Sequence, residues 1–153
     1  MGEGWGADRR GERCAAEVCV RVLIIDDSMV IRKVVESVLR QADLGVDEVV
    51  LAANGLQGLE ILERVSADGL ELDLILSDVH MPVMDGLEFL LERKRRGLAV
   101  GVPVVMITAD GSDPQVMAAV AAGAQGYISK PFTLAQIREC VVSLLPAGAG
   151  VGR

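Results

Sequence analysis

Aromatic residues are almost missing: one Trp, one Tyr and two Phe in 153 residues. A core must then be filled by aliphatic side chains, and hydrophobic residues do reach 51%. That content is too high for an intrinsically disordered chain. The length suits one domain able to bury a real core. Cysteines are few and odd in number, Cys14, Cys19 and Cys140, with no CxxC spacing. The pattern reads against a disulfide framework or a zinc site, and reduced thiols are expected. No apolar run approaches the roughly 20 residues that cross a bilayer, so no membrane insertion is expected. Positive charge is in the minority, with a net charge of −7. Nonspecific nucleic-acid binding rests on Lys and Arg neutralising phosphates and is disfavoured. The opening stretch MGEGWGADRRGERCAAE lacks the apolar segment of a secretory signal, so a cytoplasmic location is expected.

What is present alternates. Val20 to Ile25 is a short apolar run rich in β-branched residues, a buried strand. In SMVIRKVVESVLRQ, residues Ile31, Val34, Val35, Val38 and Leu39 share one helix face, with Ser28 as N-cap. EVVLAA reads as a second strand, and Asn54-Gly55 as a turn. LQGLEILERVS reads as a helix with Leu56, Leu59, Leu62 and Val65 inward. LDLILS is a third strand, and GLEFLLERKRR a third helix stopped by Gly97. VPVVMIT is a fourth strand. SDPQVMAAVAAG has Ser112 and Gln115 in capping-box spacing and closes on Gly123. GYIS is a short fifth strand, and TLAQIRECVVSLL a last helix with Leu134, Ile137, Val141 and Leu144 on one face. Near-continuous apolar strands alternating with helices imply a five-stranded parallel sheet, doubly wound, covered on both faces. Ligands bind such sheets at the carboxyl ends of the strands.

Those ends carry polar groups of particular kinds. The first strand closes on Asp26 and Asp27, the third on Asp78, the fourth on Thr108 and the fifth on Lys130. Adjacent carboxylates near a core repel and require water, a base or a metal ion as compensation. Oxygen donors without a His or Cys side chain suit Mg2+, with Mn2+ as an alternative. There is no GxxxxGK[ST] and no GxGxxG, so neither a P-loop nor a dinucleotide fingerprint is present. A carboxylate nucleophile with a hard cation, an ammonium and a hydroxyl can receive a phosphoryl group.

The pieces LIIDDS, LILSDVHMPVMDG, VVMITAD and GYISKPF lie in order, with Asp78 30 positions before Thr108 and Thr108 22 before Lys130. This set resembles the response regulator receiver domain of two-component signalling, in its single-domain, chemotaxis-regulator-like form. The resemblance covers roughly Val18 to Leu145. It implies a flavodoxin-like strand order of 2-1-3-4-5, with a receiver domain over 18–146 between tails at 1–17 and 147–153.

The resemblance also implies roles. Asp78 would be the phosphoacceptor, Asp27 a direct Mg2+ ligand and Asp26 a ligand acting mainly through metal-bound water. The backbone carbonyl of His80 would complete the protein's metal ligands. Lys130 and Thr108 would contact phosphoryl oxygens, and Tyr127 would swing inward behind Thr108. His80 and Asp110 would tune the access of water to the acyl phosphate. The Lys130-Pro131 bond is expected to be cis, as in the family. The phosphodonor would be a sensor histidine kinase or a histidine phosphotransfer protein, as in a phosphorelay. Output would pass to another protein through the rim of the fourth helix, fifth strand and fifth helix, from a monomer or a phosphorylation-dependent dimer. Such a protein is not a metabolic enzyme beyond its own phosphorylation and dephosphorylation.

Two other readings compete. A haloacid-dehalogenase-type hydrolase also uses an Asp nucleophile and Mg2+, but it places a second Asp two residues on, where this chain has His80. A receiver-fold module that binds without switching is the other. The basic run Arg93 to Arg96 reads as a helix end whose cations complement the dipole. Pro82 and Gly86 read as loop geometry around the acceptor, and Cys140 as a helix residue at the core edge.

Overall fold

A computed structural model describes residues 20–41, 45–130 and 132–144. The expectations for Cys14, Cys19, both tails and the Lys130-Pro131 bond fall outside the described residues. Strands β1 (Val20–Ile25), β2 (Val46–Ala52), β3 (Leu74–Asp78), β4 (Val104–Thr108) and β5 (Gly126–Ser129) alternate with helices α1 (Met29–Gln41), α2 (Gly55–Ala67), α3 (Gly86–Arg96), α4 (Pro114–Ala121) and α5 (Leu134–Leu144). All neighbouring strands pair in parallel, in the order β2-β1-β3-β4-β5.

The apolar runs of β1, β3 and β4 are buried throughout because helices cover both faces of the sheet. Alternate strand residues feed two separate cores. Leu23, Ile25, Ile75, Val104 and Met106 pack with α2, α3 and α4, around Leu59, Phe89 and Val116. Val22, Ile24, Leu76, Val105, Ile107 and Ile128 pack with α1 and α5, around Val35, Leu39, Ile137 and Val141. No helix among the described residues is long and apolar enough to cross a membrane.

The structure corrects several local readings. Asn54-Gly55 is a helix start, because the Asn54 side chain accepts the Gln57 N–H while Gly55 opens α2. Leu56 is 40% exposed, and the buried positions beside Leu59 are Gly55 and Gly58. A side chain at Gly58 would strike Ile25 and Phe89, so α2 lies close on the sheet there. Val34 and Leu134 also sit at the exposed margins of their helices. Asp113, not Ser112, caps α4, accepting the Gln115 N–H ahead of Pro114 at the first turn. Ser112 bonds back to Asp110 instead. Gly97 ends α3 in the left-handed conformation at φ 68°, as its sequence position implied.

Candidate functional site

Strand register brings the acidic residues together. Ile25 of β1 pairs with Ser77 of β3, so Asp26 and Asp78 follow side by side at the carboxyl edge. Carboxylate oxygens of Asp26, Asp27 and Asp78 lie within 4.8 Å of one another. Asp26 and Asp78 are buried and Asp27 is exposed, so the cluster opens to solvent on one side.

Each buried carboxylate has partners. Asp26 accepts the Ser28 N–H at 2.9 Å on one oxygen and the Lys130 ammonium at 3.2 Å on the other. Lys130 leaves β5 beyond the Thr108–Ser129 pair, its own N–H bonded to the Thr108 carbonyl. Its long side chain reaches across β4 and also stands 3.7 Å from Asp78. Asp78 accepts the Val79 N–H at 2.8 Å. Burial, then the charge of Asp26, pushes the Asp78 carboxyl up to about 6, against the opposing pull of Lys130. Arg32 of α1 donates to the Asp26 backbone carbonyl at 2.7 Å and fixes the turn into α1.

Thr108 sits at the end of β4 with its hydroxyl turned into its own loop. It donates to the Asp110 carbonyl at 3.0 Å and accepts the Asp110 N–H at 3.1 Å. Tyr127, on β5, is 46% exposed. His80 is exposed in the β3–α3 loop, and its Nε2 meets the Asp113 carboxylate at 2.5 Å. That contact raises the His80 pKa and lowers that of Asp113. The basic run lies elsewhere and is mostly paired. Arg95 and Arg96 bind Glu92, and Arg96 reaches Glu63 of α2. Cys140 is half-buried, as its helix position implied.

The capping-box spacing of Ser112 and Gln115 masks the part of Asp113 in the sequence; an Asp directly before a Pro is the signal that marks it as the cap. Gly86, read from the sequence as loop geometry, instead opens α3 as its first helical residue behind the Asp85 cap. A side chain there would collide with the backbone carbonyl of Asp78, so α3 begins pressed against the acidic residue's own peptide.

The oxygen-only set Asp26, Asp27 and Asp78 fits a hard divalent cation, since one wall is open and the clustered negative charge is only partly offset by Lys130.

Fold and site define a doubly wound parallel α/β protein with an acidic pocket at the strand ends. The model of the response regulator receiver domain matches residues 22–142. The chain belongs to this family and is a CheY-like receiver domain of two-component signalling. It is 35% identical over 120 residues to chemotaxis protein CheY-3 of Vibrio cholerae, covering 78% of this chain and 87% of that protein. The solved structure of Vibrio cholerae CheY4 superposes with a TM-score of 0.71 at 33% identity, covering 84% of this chain and all of that one. A CheX–CheY complex with beryllofluoride and magnesium from Borrelia burgdorferi gives a TM-score of 0.69 at 26% identity, covering 81% and 87%. Receiver domains are signalling modules rather than metabolic enzymes.

Proposed function

We propose that this receiver acts as a stand-alone response regulator that accepts a phosphoryl group on Asp78. The observation that carries the reading is the convergence of Asp26, Asp27, Asp78 and Lys130 on one strand edge. The donor is the phosphohistidine of a sensor kinase or phosphotransfer protein. A carboxylate oxygen of Asp78 forms the new O–P bond as the N–P bond breaks, and the imidazole leaves with the electron pair. Lys130 neutralises charge on the transferred oxygens. Asp26, Asp27 and Asp78, with the His80 carbonyl, would hold Mg2+. When bound, the cation offsets carboxylate repulsion and phosphoryl charge. Asp27 is the ligand open to solvent, and Met29 and Val30 just beyond it are 66% and 68% exposed, which suits an apolar helix carrying the donor histidine.

The new phosphoryl group competes for the Thr108 hydroxyl, which otherwise bonds within its own loop. Moving it frees space that the Tyr127 ring can enter. Two packings of the α4–β5–α5 rim then differ in population rather than kind. Met117, Val120, Tyr127 and Leu134 expose apolar surface on that rim, which suits a protein partner. The Borrelia burgdorferi relative in its complex with CheX supports protein output. The reading places the protein in the cytoplasm, where such donors are made.

The test is intact mass after incubation with acetyl phosphate and Mg2+. One phosphoryl adduct is expected in the wild type, absent from Asp78→Asn and from metal-free samples. Beryllofluoride binding separates rapid hydrolysis of an adduct from a module that does not switch. If neither an adduct nor beryllofluoride binding is seen, the phosphoacceptor reading fails.

A further inference from the structure

Gly111 lies in the loop between Thr108 and α4, and the Tyr127 ring rests on it. A Cβ built on Gly111 would stand 2.8 Å from Tyr127 Cε2, 3.3 Å from its hydroxyl oxygen and 3.2 Å from Ser129 Oγ. Gly111 does not adopt a positive φ, so no left-handed backbone calls for a glycine here. What the missing side chain provides is room for the ring. The nearest atom is the far end of an exposed side chain, so on substitution the ring would yield before the backbone. Tyrosine side chains occupy separate staggered wells, and a blocked well passes its population to another.

We propose that Gly111 is a positioning residue of the switch: its lack of a Cβ gives Tyr127 its exposed seat and so keeps the population of the inward state low at rest. This rests on the reading that a phosphoryl group on Asp78 is coupled to an inward Tyr127. A ligand that selects a minor state binds with an affinity reduced by that state's fraction. Making the exposed seat worse therefore tightens binding at Asp78 without touching the acidic cluster.

The experiment compares wild type with Gly111→Ala in the full chain. It measures the beryllofluoride dissociation constant in the presence of Mg2+ and the NMR position of the Tyr127 ring, the only tyrosine. Gly111→Ala is expected to tighten binding about fivefold, the scale of a mild overpacking cost. Its ring signals in the free protein should move toward those of the beryllofluoride-saturated wild type. In a Tyr127→Ala background the same substitution should change the constant by less than about twofold. Equal tightening in that background, or unmoved ring signals, overturns the inference while leaving the phosphoacceptor reading intact. A wild type that binds no beryllofluoride overturns that reading and this inference with it. Should Gly111→Ala fail to fold, the pair Gly111→Ala/Tyr127→Ala must fold, since the clash is with the ring; if it does not, the inference is wrong.

Discussion

The Lys130 ammonium stands closer to Asp26, at 3.2 Å, than to Asp78, at 3.7 Å. Its main compensation goes to the most deeply buried carboxylate, Asp26, at 1% exposure. Asp78 is left to bear its own burial and its neighbour's charge, which hold its pKa at about 6 against an ordinary 3.8. Between those values the folded state keeps a proton that the unfolded state has released. Stability of the metal-free protein should therefore fall as pH rises from about 4 to about 7, by up to about 3 kcal/mol. Urea unfolding in EDTA across this range measures it. Asp78→Asn should flatten that part of the profile and raise stability at pH 7. An unchanged slope in the variant would assign the pH dependence to another group.

His80 and Asp113 are 33 residues apart in sequence, yet they join the loop after Asp78 to the cap of α4. Asp113→Ser keeps an oxygen to cap Gln115 but is too short to reach the ring. The His80 titration midpoint, read by NMR of the only histidine, should then drop toward its ordinary 6.5. The sign follows from the raised pKa. The contact stabilises the fold at pH values below the unfolded pKa, and that gain is lost as pH climbs through the folded one. A midpoint indifferent to Asp113→Ser would show that the pair does not persist in solution.

The fold was legible because strands buried on both faces read as apolar runs, and the site because polar residues interrupt those runs at one edge. Asp26, Asp78, Thr108 and Lys130 could be ordered along the chain before any contact was known. Contacts between loops left no such trace. Nothing in the spacing links His80 to Asp113, or Gly111 to Tyr127. Val34, Leu56 and Leu134 fit the helical period yet lie at the edge of the apolar stripe, where a period gives the face but not its width. Asp113 and Ser112 are both good caps, and only the fixed φ of Pro114 decides between them.

Gly86 provides a sharper steric test. Its N–H bonds to the Val79 carbonyl at 2.8 Å, so α3 cannot retreat from β3 without breaking that bond. A Cβ would press on the Asp78 carbonyl and lie 2.7 Å from Met106 Cε. Gly86→Ala should cost about 3 kcal/mol in urea unfolding, at the upper end for overpacking, and should slow labelling of Asp78 by acetyl phosphate. Gly97→Ala is the comparison. Nothing lies within 4 Å of its Cβ, and only its φ of 68° is penalised, so about 1 kcal/mol is expected without loss of labelling. Equal costs at the two positions would refute the close packing of α3 on Asp78.

Val83 carries backbone strain beside the same site. The Met84 N–H bonds to the Pro82 carbonyl at 2.7 Å, closing a three-residue turn around Val83 at φ 71°. A γ-turn of this hand is rare, and a β-branched side chain makes it costlier. Val83 offsets little of that cost by packing, being 74% exposed. Val83→Gly should therefore stabilise the protein by about 1 kcal/mol, the cost of a left-handed L-residue less the extra chain entropy of glycine. Val83→Asn should act in the same direction, because Asn tolerates positive φ. The urea midpoint should rise at an unchanged m-value. Acetyl phosphate labelling of Asp78 should persist, since the Gly86–Val79 bond anchors the end of this loop independently of the turn. A lower midpoint in Val83→Gly would mean that the Val83 side chain makes a stabilising contact larger than the strain it carries.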